Sequence, residues 1–293
     1  MNIRPWLAAA VSVAAVTLGV SSGASASTTT AHQAITHPVP HAPQIKGFHL
    51  ARNVHLPRTT LQHLTPANTV PSGNWSGYTA VGDKNVALRY VGADFNVPSL
   101  NCANTPVGSA GDPIEGQWVG LDGYDTSTVE QTGIAGYCDS GTAEYYAWYE
   151  MYPSETVVYS GAISAGDAIT ASVYYNAGGG FYNIVLTDVT AGGQINVDAT
   201  CPSGSTCKDA SAEVITELPG GGPANGYNLP DFGMDNFTGT GVTSRDGVHG
   251  GLSASSLWTS TEIILEDQNG RHMIQPSSLY GGQAFNSTWL SAT

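Results

Sequence analysis

Charge is scarce in this sequence. Only 11% of its 293 residues are Asp, Glu, Lys or Arg, against roughly a quarter in an ordinary globular domain. Positive charge is scarcest: nine Lys and Arg face 23 Asp and Glu, a formal net charge of −14. Nucleic acid and anionic membrane surfaces are thereby excluded as partners, because Lys and Arg are what hold them. The 36 glycines and 16 prolines follow no Gly-X-Y period, which excludes collagen, and the regular apolar content excludes wholesale disorder. There is no phosphate loop, no dinucleotide glycine fingerprint and no H-E-x-x-H, and no G-x-S-x-G elbow accompanies His249 or His272. No cofactor is expected.

Acid is missing altogether from the first seventy residues, where Arg4, Lys46, Arg52 and Arg58 lie with six of the eight histidines. The rest of the chain sets 23 acids against five bases. Such an abrupt boundary separates pieces with different fates. A basic start at Arg4, an apolar run from Trp6 to Val20 and the small residues Ala24-Ser25-Ala26 make 1–26 a secretory signal, too short to span a membrane. No later run approaches the ~18 apolar residues of a span. Residues 27–70, rich in His, Pro and Thr, read as a propeptide: a cationic segment can lie across an acidic cleft of the domain it precedes. With histidines near pKa ~6.5 and carboxylates near ~4, that attraction should fail once the carboxylates are neutralised in acid. A plain linker is the alternative. The body is then 71–293, expected to be a secreted monomer.

Four cysteines, Cys102, Cys138, Cys201 and Cys207, suit an oxidising compartment and allow three pairings. Cys102–Cys138 with Cys201–Cys207 is favoured, because the second bridge closes a short Pro-Ser-Gly-Ser-Thr loop. The first is worth roughly 3–4 kcal/mol by loop entropy. No metal is expected, since the cysteine spacings fit no zinc pattern and the body has only two histidines.

From residue 71 onward the apolar pattern has period two. Ile169, Ala171, Val173 and Tyr175 alternate with polar or smaller neighbours, and Tyr182, Ile184 and Leu186 share a face beyond a Gly-Gly-Gly turn. Similar runs occur at 87–97, 144–152, 212–216 and 262–265. No long stripe of period 3.6 appears. Short aromatic and β-branched strands punctuated by Gly and Pro predict an all-β, antiparallel sandwich or barrel.

Aromatics and acids concentrate in four segments: Gln117–Gly123 (QWVGLDG), Val129–Gly133 (VEQTG), Tyr145–Pro153 (YYAWYEMYP) and Ser211–Glu217 (SAEVITE). Residues two apart on a strand share a face, so Glu213 and Glu217 point one way, and Trp148, Glu150 and Tyr152 point together. Asp139-Ser140-Gly141-Thr142 is like the active-site turn of pepsin-type peptidases, which need two such turns. It reads better as a polar β-turn after a disulfide.

With Asn74-Trp75-Ser76-Gly77 ahead of them, the four segments in this order resemble the glutamic peptidase (eqolisin) family over most of 74–217. The resemblance implies a concanavalin A-like fold, a two-sheet antiparallel β-sandwich. It also implies secretion as a pro-enzyme, endopeptidase activity in acid, polypeptide substrates, and the propeptide as inhibitor. By position it assigns the catalytic pair to Gln131 and Glu217, and puts Trp75, Trp118, Asp122 and Glu150 in or behind the cleft. Chemically the pair is suitable: an ionised Glu can activate a water as general base, and a Gln amide can donate to the developing oxyanion. One departure is Tyr146, where the fungal pattern has Asp, which bears on the pH optimum. A carbohydrate-binding module, or a glycosidase using Glu150 and Glu217, are the alternatives on the same fold.

Overall fold

The structure is a computed structural model, and it describes His37–Pro38, His55, and residues 68–83, 86–161 and 163–293. The signal segment and nearly all of the propeptide segment lie outside these residues. Seventeen strands follow one another: β1 (His37–Pro38), β2 (Thr69–Ser72), β3 (Trp75–Gly82), β4 (Leu88–Asn96), β5 (Ile114–Leu121), β6 (Val129–Asp139), β7 (Thr142–Tyr152), β8 (Val157–Ser160), β9 (Ala168–Asn176), β10 (Phe181–Asp188), β11 (Gly193–Ala199), β12 (Ser211–Glu217), β13 (Met234–Ser244), β14 (His249–Gly250), β15 (Trp258–Glu266), β16 (His272–Pro276) and β17 (Phe285–Trp289). The 3₁₀ turns described in full are Cys102–Asn104 and Pro223–Asn225, each of three residues.

The chain is all-β and its ladder is antiparallel apart from β2, which runs parallel to β15. One run of strands goes β1–β8–β7–β6–β5–β12–β3–β15. A second goes β11–β10–β9–β4–β13. The two are joined through β16 and β17, which carry the ladder from β15 round to β13. The sheet therefore comes close to closing on itself.

Alternation decides where the core sits. Val119, Leu121, Ile134 and Val214 of the first run pack with Val91, Phe95, Val173, Ile184 and Phe237 of the second in one apolar cluster. The opposite face of the first run carries another cluster, built on Trp75, Trp118, Trp148 and Ile215. Strands β5 and β12 are consequently buried along their whole length. The strand expected at 212–216 is β12, extended by one residue at each end.

The cysteines are bridged as Cys102–Cys138, spanning 36 positions, and Cys201–Cys207, spanning 6. The Asp-Ser-Gly-Thr stretch is the β6–β7 hairpin turn: Ser140 and Gly141 both have positive φ, 49° and 86°. That is the sense of backbone twist a two-residue hairpin favours, so the pepsin likeness is a turn and nothing more. Three described pieces of the leading segment touch the body, the last being Thr69 and Val70 of β2, which pair with Glu262 and Ile263 of β15. His37 and Pro38 pair with Ser160 and Tyr159 at the β8 edge. His55 Nε2 lies 2.7 Å from the Tyr124 carbonyl and 3.1 Å from Asp125 Oδ1.

Phe237 ties the two halves of the ladder together. It is fully buried, stacks on Phe285 of β17 at 5.0 Å and tilts against Phe95 of β4 at 5.5 Å. Phe237→Ala should cost about 3–5 kcal/mol, read as a lower urea midpoint at unchanged m-value.

Candidate active site

The second apolar cluster is also where the sequence-predicted site residues meet. Cross-strand pairing sets Ile215 of β12 opposite Trp118 of β5, and Trp118 opposite Gly133 of β6, which in turn faces Trp148 of β7. One row along, Glu213 faces Gly120, Gly120 faces Gln131, and Gln131 faces Glu150. Side chains two apart share a face, so Gln131, Trp118, Glu150, Glu213 and Glu217 all belong to one side of the sheet. Gly133 permits this packing: a Cβ there would lie 2.0 Å from the Gln117 carbonyl oxygen and 2.6 Å from Trp118 Cβ.

Glu217 is held from two sides. Trp118 Nε1 donates to its Oε2 at 3.0 Å and Asn74 Nδ2 donates to its Oε1 at 3.2 Å. Asn74 is fixed in turn, its Oδ1 accepting from the Ser72 hydroxyl and its carbonyl from the Leu218 amide. Trp75 packs edge-on against Trp118 with ring centroids 4.8 Å apart. Both donors match what an ionised carboxylate requires, since it has only acceptors to offer.

Gln131 is anchored differently. Its Nε2 donates to Glu150 Oε2 at 2.6 Å, while the Thr156 hydroxyl donates to Glu150 Oε1 at 2.6 Å. The Gln131 carbonyl oxygen is buried without a hydrogen-bond partner. Gln131 and Glu217 thus share a face but not their anchors: β5 runs between them, and Glu217 sits four positions along β12 from Glu213, which is level with Gln131.

Asp122 is placed behind this face rather than on it. It is fully buried with φ of 66° and accepts the backbone amides of Lys208, Asp209 and Ala210, at 2.7, 2.9 and 2.8 Å. It therefore secures the segment entering β12. Tyr146, the departure from the family pattern, stacks on Tyr137 and donates to Glu144 at 2.8 Å. Two residues that the sequence reading missed are Asn74 and Thr156. Asn74 was visible only as part of N-W-S-G and as an N-x-S sequon. It is fully buried, so in this fold it is a Glu217 partner and no glycan acceptor. Nothing in the local pattern marked Thr156.

Burial dominates the electrostatics. Desolvation pushes Glu150 up to about 7, although Thr156 and Gln131 pull the other way. Asp235, buried between the two runs, is likewise pushed up to about 7, and burial beside Asp235 holds Glu115 well above the usual carboxylate range. Glu213 is raised well above that range, chiefly by burial. Oxygen-bearing acids do cluster at Asp122, Glu130 and Asp209, away from the Trp118–Glu217 pair.

Comparison with known proteins gives first the class and then the family. The crystal structure of scytalido-glutamic peptidase with a transition state analog inhibitor aligns with a TM-score of 0.60 at 26% identity, covering 74% of this chain and 98% of that one. The fold is therefore that of the glutamic peptidases. Scytalidopepsin B from Scytalidium lignicola is 31% identical over 170 residues, 57% of this chain. Aspergillopepsin-2 from Aspergillus niger is 26% identical over 203 residues, 64% of this chain and 70% of that protein. The match spans 60% of the length of scytalidopepsin B. Residues 73–289 match the Peptidase A4 family, and the chain belongs to that family, the eqolisins. The resemblance carried by the four sequence segments is thus a true relationship. No helix among the described residues is long and apolar enough to cross a membrane.

Acids raised by burial keep protons in the folded chain that the unfolded chain loses above about pH 4.5. Stability should therefore be greatest in acid and should fall as pH rises from about 5 to 7. Urea midpoints at pH 4, 5.5 and 7 will read this as a steady decline. Glu150→Gln should remove up to about 3 kcal/mol of that decline, because the amide has no proton to lose.

Proposed function

We propose that this protein is a secreted acid endopeptidase that hydrolyses peptide bonds with Gln131 and Glu217 and an activated water. The observation that carries the reading is the pair of anchors on one buried face: Glu217 held by Trp118 and Asn74, Gln131 held by Glu150. Family membership supplies the substrate class, polypeptides.

In this mechanism ionised Glu217 takes a proton from water as it attacks the scissile carbonyl, then returns it to the leaving amine. The Gln131 carbonyl, which has no partner within the protein, stands ready to accept a hydrogen bond from substrate or water. One Gln131 N–H is used on Glu150; the other is left to donate to the oxygen that becomes negative in the tetrahedral intermediate. Trp118 and Asn74 position Glu217. Glu150 and Thr156 position Gln131, and Asp122 holds the strand entry behind them. The two ladder runs are, on this reading, the sheets of a concanavalin A-like sandwich joined at one edge. The sugar-directed alternatives are not favoured by the family match.

The leading segment is proposed as a signal (1–26) and an inhibitory propeptide (27–70) of a zymogen. Support comes from its charge, opposite to that of the body, and from the contacts of His37–Pro38 and His55 with β8 and with the Tyr124–Asp125 turn.

The test is proteolysis of a denatured protein across pH 2–7 with pepstatin present. Wild type should cleave in acid and resist pepstatin. Gln131→Ala should lose about 10²–10³ in rate, as for loss of one oxyanion donor, and Glu217→Gln should abolish turnover. Activity surviving Glu217→Gln would sink the assignment.

A further inference from the structure

Away from the Trp118–Glu217 face, Asp122, Glu130 and Asp209 are all buried, and one carboxylate oxygen of each lies within 4.8 Å of the others. Asp122 is occupied by three backbone amides. Asp209 accepts from the Tyr182 hydroxyl at 2.6 Å and pairs with the half-exposed Arg245 guanidinium. Glu130 stands apart. It is fully buried, and neither of its oxygens has a hydrogen-bond partner. The Thr128 hydroxyl beside it is also fully buried and faces the Glu130 carboxylate as a donor. An ionised carboxylate buried with a single hydroxyl beside it is strongly unfavourable unless a counter-charge meets it. When all three carboxylates are ionised, one guanidinium leaves two negative charges over, which one divalent cation would balance.

We propose that Asp122, Glu130 and Asp209, with the Thr128 hydroxyl, bind a hard divalent cation, calcium in preference to magnesium. The donors are all oxygen, which excludes the soft thiolate metals. They are supplied by buried protein groups, which suits calcium, whereas magnesium keeps several waters and demands a near-ideal octahedron. Asp122 follows the end of β5, which carries Trp118, and Glu130 immediately precedes Gln131, so the cation ties together the ends of the two strands that carry site residues. Ligand carboxylates must be deprotonated to bind metal, so affinity falls in acid. Glu213 and Tyr182 are the other titratable groups close enough to be felt there, and burial already holds Glu130 well above the usual carboxylate range.

The experiment uses the full chain stripped with EDTA, titrated calorimetrically with calcium chloride or magnesium chloride and followed by thermal unfolding. At pH 7.5, calcium at a hundredfold excess over its Kd should raise Tm by about 5–10 °C; at pH 4 the shift should vanish. Glu130→Gln should weaken calcium binding at least tenfold while matching the wild-type Tm at pH 4. If that variant does not fold, Thr128→Val, expected to weaken binding less, decides in its place. Absence of both heat and Tm shift with wild type at about 10 mM calcium, above the range of weak extracellular sites, would overturn the proposal. Equal shifts in wild type and the folded variant would overturn it too. Magnesium binding as tightly as calcium would overturn the stated preference.

Discussion

Trp118 is the residue on which the arrangement of the site depends. It lies on β5, which is hydrogen-bonded on one side to β6 and on the other to β12. Its Cβ lies against Gly133, while its indole fills the space above Gly120, packs against Trp75, and spends its single N–H on Glu217. An aromatic of this size buried in a sheet contributes heavily to stability, so the hydrogen bond that fixes the carboxylate is backed by the packing of the whole first run. Geometry at Glu217 is therefore a property of the core. Glu150 is backed less deeply: Thr156, which donates to it, lies just outside β8.

The second theme is the number of acids in low dielectric. Glu115, Glu130, Glu150, Glu213 and Asp235 are all buried with their pKa values raised. Placing so many carboxyls in a core is costly when they are ionised and far less so when they are neutral. A chain built this way is most stable where those acids keep their protons. The scarcity of Lys and Arg has the same logic, because few counter-charges are needed where the acids carry protons.

Much of this was legible in the sequence. Period-two alternation located β9, β10 and β12, and residues two apart did share faces, as for Glu213 with Glu217 and Trp148 with Glu150. The cysteine spacing led to the observed bridges. Alternation failed where strands are covered on both sides. Glu115 and Gln117 are polar residues at alternate positions of β5, and they point into the space between the two runs, near Asp235 and Thr216. The Asn74–Glu217 contact joins residues 143 positions apart, beyond the reach of any local pattern.

The sequence by itself determined the class of structure and the cast of residues, because strand periodicity, turn chemistry and short motifs are encoded locally and survive without knowledge of neighbours. Tertiary structure alone decided which acids are buried and which donor meets which acceptor. It set Glu150 beside Gln131, put Trp118 and Asn74 on Glu217, and tied Asp122 to the backbone of Lys208–Ala210. Register across non-sequential strands, β5 with β12 and β12 with β3, makes those choices, and register is fixed by packing the whole ladder at once.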